Sequence, residues 1–157
     1  MKVYHGSSVV VRSPDIFHSR AKVDFGKGFY VTPLKEQAYN WCLRFKKSGN
    51  EGVISRYDFN EAAYKELNVL IFTEYSLEWL DFVINCRQGD DKSAYDIIQG
   101  GIANDKVFNT LELFLDGLID KAEAIKRLRY EKPNLQLCFR TQNSIDEYLN
   151  FEGSEKV

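Results

Sequence analysis

The chain has 157 residues, with 21 Lys and Arg against 23 Asp and Glu and a net charge of −2. That length suits one domain that can bury a sizeable core, and 44% hydrophobic, 14% aromatic and 28% charged residues describe a globular composition rather than a disordered one. The near balance of charge supplies no global positive field to collect nucleic acid, so a nucleic-acid partner is unsupported.

In chain order, Lys2 to His5 reads as a short strand and Ser7 to Val23 as a loop containing Pro14. Gly28 to Thr32 reads as a second strand. Thr32 as cap, Pro33 at the first helical position and Glu36 at the capping-box position predict a helix through Lys46. Its spacing predicts burial of Leu34, Ala38, Trp41, Cys42 and Phe45. Ser48 to Gly52 is a turn, and Val53 to Phe59 and Leu67 to Phe72 are strands. A helix opens at Ser76 and ends near Arg87 before Gly89, burying Leu77, Leu80, Phe82 or Val83, and Ile84.

Asp90 to Ser93 is a polar turn, and Tyr95 to Ile98 a buried strand broken by Gly100-Gly101. Two helices are expected between Val107 and Tyr130, at Val107 to Leu115 and Lys121 to Arg129, with Asp116-Gly117 between them and Asp120 as a cap. The basic residues Lys121, Lys126, Arg127, Arg129 and Lys132 read as a solvated face. Pro133-Asn134 ends this part. Leu135 to Phe139 is a late strand, Thr141 to Asn150 a closing helix, and 152–157 a polar tail after a domain of residues 1–151. Strands scattered among helices predict an α+β fold with short, mostly antiparallel sheets.

Three cysteines far apart, Cys42, Cys86 and Cys138, with no Cys-x-x-Cys, predict free buried thiols in a reducing compartment. With only His5 and His18 as nitrogen ligands, the sequence argues against a metal site. The start lacks the apolar segment and cleavage site of a secretion signal, and no stretch approaches the ~18 apolar residues of a membrane span. A cytoplasmic chain with no membrane partner is the expectation.

Two stretches carry the chemistry. Asp24-Phe25-Gly26-Lys27-Gly28-Phe29-Tyr30 places two glycines ahead of an aromatic strand, and Tyr4-His5-Gly6-Ser7 places a histidine and a glycine at the end of the first strand. Glycines let backbone approach a flat ligand closely, so a histidine, two bare backbones and an aromatic face make a candidate pocket for a planar, polar ring.

These two stretches, followed by Trp41-Cys42 eleven and twelve residues after Tyr30, resemble the catalytic domain of the ADP-ribosyltransferases. The likeness is to the diphtheria-toxin and poly(ADP-ribose)-polymerase branch with its His-Tyr-Glu signature, and also to a small uncharacterised bacterial family with the same two motifs. It implies an α+β single domain with split, mostly antiparallel sheets and flanking helices, and NAD as substrate without a metal. By this resemblance His5 would bond a ribose hydroxyl, Gly6 would clamp the nicotinamide carboxamide with help from Ser7, Tyr30 beside Phe29 would stack on the ring, Trp41 would close its other face, and Arg20 would reach the diphosphate.

Two positions depart from the pattern. Ala38 stands where the polymerase branch tends to have a serine, and Gln136 stands where the late strand would begin with the catalytic glutamate. An amide carries no charge and cannot act as a base, which points to transfer of a single ADP-ribose rather than to polymer. Asp105 is the acid that could substitute, against a simpler role as helix N-cap; Asp24 is a second acid close by, against a simpler role in a turn. Trp41 could equally be core.

The expected function is an NAD-dependent mono-ADP-ribosyltransferase of bacterial type, a toxin or effector acting on an unidentified macromolecular or small-molecule acceptor, for which an antitoxin partner is conceivable. Two alternatives remain beside it. One is a catalytically degenerate NAD- or ADP-ribose-binding domain, and the other a structural or partner-binding domain.

Overall fold

The computed structural model describes residues 1–129 and 134–157. Tyr130, Lys132 and Pro133, which entered the expected helix end, basic run and chain break, lie outside the described residues. The fold is α+β, as the sequence predicts. One antiparallel sheet has the order β1-β3-β7, from β1 (Lys2–Ser7), β3 (Val53–Phe59) and β7 (Leu149–Lys156). The second has the order β2-β6-β5-β4, from β2 (Phe29–Val31), β6 (Leu135–Phe139), β5 (Ile97–Gly101) and β4 (Val69–Ile71), and only its β4–β5 pair is parallel. The helices are α1 (Lys35–Lys47), α2 (Ala63–Glu66), α3 (Leu77–Gln88), α4 (Asp105–Leu115), α5 (Lys121–Leu128) and α6 (Gln142–Tyr148).

Alternation along the strands sorts the apolar residues into layers. Val3, Phe29, Val31, Tyr57, Phe59, Leu137 and Phe139 form a core shared by both sheets. On the other face of the second sheet, Phe25, Ile98 and Cys138 pack with Trp79, Leu80, Val83, Leu111 and Leu128 from the helices. A smaller cluster of Ala38, Cys42 and Ile54 seats α1 on the first sheet. All three cysteines are free and buried.

Several expectations need correction. The six residues expected as a polar tail are not one: residues 152–156 continue β7, which pairs with β3 and carries Glu152 into contact with Lys2 and Arg56. Gly100 and Gly101 do not break a strand but lie inside β5, where a Cβ on Gly101 would stand 2.4 Å from the Tyr75 ring. Thr32 does not cap α1. Its backbone is held extended by hydrogen bonds to Tyr4, its hydroxyl accepts only from the Leu34 N–H, and the helix begins two positions later than a Pro33 start.

Within α1 only Ala38 and Cys42 are buried, while Trp41, and Leu34 just before the helix, are exposed. In α3 the buried stripe is Trp79, Leu80, Val83 and Cys86, and Leu77 faces out. The caps of that helix match the sequence reading: Ser76 accepts from the Trp79 N–H and Gly89 adopts a left-handed φ of 81°. Asp120 likewise caps α5 through the Glu123 N–H. Lys121 and Arg127 of the basic run pair with Asp81 and Glu123. No helix among the described residues is long and apolar enough to cross a membrane.

Deleting residues 152–157 removes the β7 segment opposite Val53 to Arg56. The truncated chain is expected to lose about 1–3 kcal/mol of stability, read as a lower urea midpoint, because several ladder hydrogen bonds are lost together.

Candidate functional site

The two sheets touch at one backbone bridge, in which Tyr4 and Thr32 exchange hydrogen bonds of 2.8 and 2.9 Å. Antiparallel ladders alternate, so a residue that bonds one neighbour strand turns its N–H and C=O away from the other. Met1 exchanges bonds with Phe59, which gives the phase: Val3 and His5 turn toward β3, whereas Tyr4 and Gly6 turn toward β2. Continuing the bridge register by two residues sets Gly6 opposite Tyr30, but no ladder forms there. The strands splay, and the N–H and C=O of Gly6 face a gap.

His5 spans the gap. Its Nδ1–H donates to the Tyr30 carbonyl at 2.7 Å, and its ring lies 4.5 Å, centroid to centroid, from Phe29. Burial pushes the imidazole below its usual pKa, against the opposing pull of the Tyr30 carbonyl, so the ring is neutral at pH 7 with Nε2 as its acceptor nitrogen.

Side chains alternate about these backbones, and the alternation makes a face. Tyr30 and Gln136 share the side of the second sheet that carries Cys138, and Gly6 presents the corresponding side of β1 to α1. The approach at Gly6 is very close, since a Cβ there would lie 2.6 Å from the Ala38 carbonyl and 3.4 Å from Trp41 Cδ1. Gly6 is therefore required by helix packing. Trp41 is 40% exposed beside it, with the Arg44 guanidinium 4.4 Å over one face of its indole. The core reading of this tryptophan is overturned.

Tyr30 closes the glycine loop on itself. Its hydroxyl donates to the Gly26 carbonyl at 2.6 Å and accepts from the Phe25 N–H at 3.1 Å, while Gly26 takes a left-handed φ of 74°. Burial, with Cys138 alongside, holds the phenol well above its usual pKa, so it remains a donor. Gly28 passes Cys138 so closely that a Cβ would lie 2.5 Å from its sulfur.

Behind this face lies a polar cluster that local sequence did not announce. Asp24 is buried, accepts from Arg87 Nε at 3.1 Å and Nη2 at 2.5 Å, and takes the Ala103 N–H on its other oxygen at 3.0 Å. Gln136, 7% exposed, donates from Nε2 to that same Asp24 oxygen at 3.2 Å and to the Gly101 carbonyl at 3.3 Å. Asp24 is thus an ion-pair centre as well as the turn residue the sequence suggested, its turn closed by the Gly26 N–H on the Val23 carbonyl. Arg87 was not foreseen, because a basic residue in the last turn of a helix has a sufficient local explanation in the helix dipole.

The remaining candidates make other contacts, and Asp105 reaches this face only through the Arg44 that covers Trp41. Ser7 spends its hydroxyl on the Val9 carbonyl, Arg20 is exposed on the loop, and Phe29 is buried in the shared core beneath His5. Asp105 is 96% exposed and pairs with Arg44 at 3.7 Å, and Asn104 rather than Asp105 caps α4. An open depression of about 550 Å³ bordered by Arg12, Asp15 and Gln142, and a smaller one of about 150 Å³ near Lys35 and Arg56, both lie away from Tyr30.

A family model described as "Protein of unknown function (DUF3990)" matches residues 1–151. No curated protein and no solved structure matches the chain.

Because the folded His5 resists protonation, the unfolded state takes up a proton first as the pH falls below the ordinary histidine value of 6.5. Stability is expected to fall through that window. His5→Asn, whose amide can still donate to the Tyr30 carbonyl, should show a shallower decline in melting temperature between pH 7 and pH 5; an unchanged slope would remove His5 as its source.

Proposed function

The chain belongs to the DUF3990 family of proteins of unknown function, and we propose that it is an NAD-dependent mono-ADP-ribosyltransferase whose nicotinamide pocket lies over Gly6, between Tyr30 and Trp41. The observation that carries this reading is the splayed edge at Gly6. Its outward N–H and C=O, flanked by a tyrosine and an exposed tryptophan, form a two-point match to a primary carboxamide on a flat ring.

The chemistry asks for little covalent participation. Breaking the bond between nicotinamide and ribose passes through an oxocarbenium-like state, so holding the ring and the sugar in place is the protein's main task. Aromatic faces on either side hold a cationic nicotinamide by area and by attraction to its charge. Neutral His5 would offer Nε2 to a ribose hydroxyl, and Gln136 would offer a hydrogen bond but no proton transfer. That chemistry suits one transfer to an acceptor that is already a good nucleophile, and a toxin or effector role would rest on the NAD so consumed.

A second reading is favoured by one feature. Gln136 is uncharged and the nearest carboxylate, Asp24, is already paired with Arg87, which also suits a domain that binds NAD or ADP-ribose without turnover.

Trp41 and Trp79 make the test direct, because Trp79 is fully buried and donates to the Gly101 carbonyl. NAD is expected to quench the wild-type emission and to leave that of Trp41→Phe nearly unchanged. Release of labelled nicotinamide should drop about tenfold or more in Tyr30→Ala and Trp41→Ala, as one stacking face is lost. Quenching without release would favour the binding domain, and neither signal would overturn both readings.

A further inference from the structure

Both amide hydrogens of Gln136 are spoken for, and both partners are acceptors: the Asp24 carboxylate at 3.2 Å and the Gly101 carbonyl at 3.3 Å. Rotating the amide by half a turn would bring its oxygen against those two oxygens, a repulsive arrangement inside a buried site. The orientation therefore follows from electrostatics. It leaves Oε1, which makes no hydrogen bond among the described residues, as the end that a ligand can meet.

We propose that Asp24 is a positioning residue that holds Gln136 with its carbonyl oxygen toward the pocket, so that this position accepts a hydrogen bond from a sugar hydroxyl and disfavours anionic groups. The inference rests on the NAD reading above. Arg87 completes the device: it fixes the Asp24 carboxylate through two bonds to one oxygen, while the other oxygen serves Gln136 and the Ala103 N–H. The amide thus reproduces the accepting half of a carboxylate's behaviour without its charge or its basicity.

Substituting Asp24→Asn permits the neighbouring amide to turn over, because an asparagine can present either an oxygen or an NH2 to it. The measured quantity is the ratio of NAD affinity to nicotinamide affinity, each from quenching of Trp41. Nicotinamide lacks the sugar, so the ratio cancels general loss of folded protein or of ring stacking. It is expected to fall about tenfold, the size of one hydrogen bond to a ligand hydroxyl. A ratio equal to that of wild type would overturn the proposal.

Asp24→Asn strands Arg87 in a half-buried position, so Asp24→Asn with Arg87→Met, which removes both charges, is the companion variant; the same fall in the ratio is expected, and an unchanged ratio again overturns it. In the wild-type protein the Gln136 side-chain NH2 protons should keep their slow exchange when NAD binds. Faster exchange, or a bond from that NH2 to the ligand, would refute it. A wild type that binds neither NAD nor nicotinamide would instead bring down the pocket reading itself.

Discussion

Two hydrogen bonds between Tyr4 and Thr32 join the first sheet to the second, and the candidate site exists because the joining stops there. Had β1 and β2 continued to pair, Gly6 would have bonded Tyr30, and the seven strands would have formed one continuous sheet with no opening at Gly6. The strands part where the loop before β2 is tightest. Gly26 turns the chain with a positive φ, the Tyr30 hydroxyl ties that turn to its own strand, and Gly28 slips past Cys138. His5 then occupies the gap as a neutral spacer, bonding a carbonyl that a paired strand would have taken.

The same constraint fixes Trp41. A residue with no side chain at Gly6 lets α1 lie almost on the backbone of β1, and Ala38 and Cys42 supply the small surfaces that make this contact. With the helix so close, the buried stripe is narrow. A large ring at the next position cannot enter it and is left at the margin, against Gly6 and under Arg44. Helical spacing alone could not distinguish this from a core tryptophan, because both lie within one step of the same stripe.

Much of the fold was legible. β3 and β6 stand at the residues expected of them, since short apolar runs bounded by turn residues admit few other readings. The last strand was not legible: β7 lies at the edge of its sheet, buries mainly Leu149 at its start, and otherwise presents residues such as Asn150, Glu152 and Lys156 that read as a solvated end. The glycines of β5 were misread for a related reason, because they answer to the bulk of Phe72 and Tyr75 rather than to any local turn. In the site, the two motifs led to His5, Gly6 and Tyr30. Asp24, Arg87 and Gln136 could not be joined from sequence, since Arg87 and Gln136 stand 63 and 112 positions after Asp24.

That buried triad bears on what kind of site this can be. The Asp24 carboxylate lies beside Gln136, but its oxygens are already committed. One oxygen carries two bonds from Arg87 and the other carries two from Ala103 and Gln136. A carboxylate so bonded has little capacity left to approach a developing cation, and the nearby guanidinium offsets its field. Its remaining influence passes through the Gln136 amide, which it orients and polarises. The site is consequently stronger in geometry than in charge. Such a site orients a polar group more readily than it stabilises a developing charge.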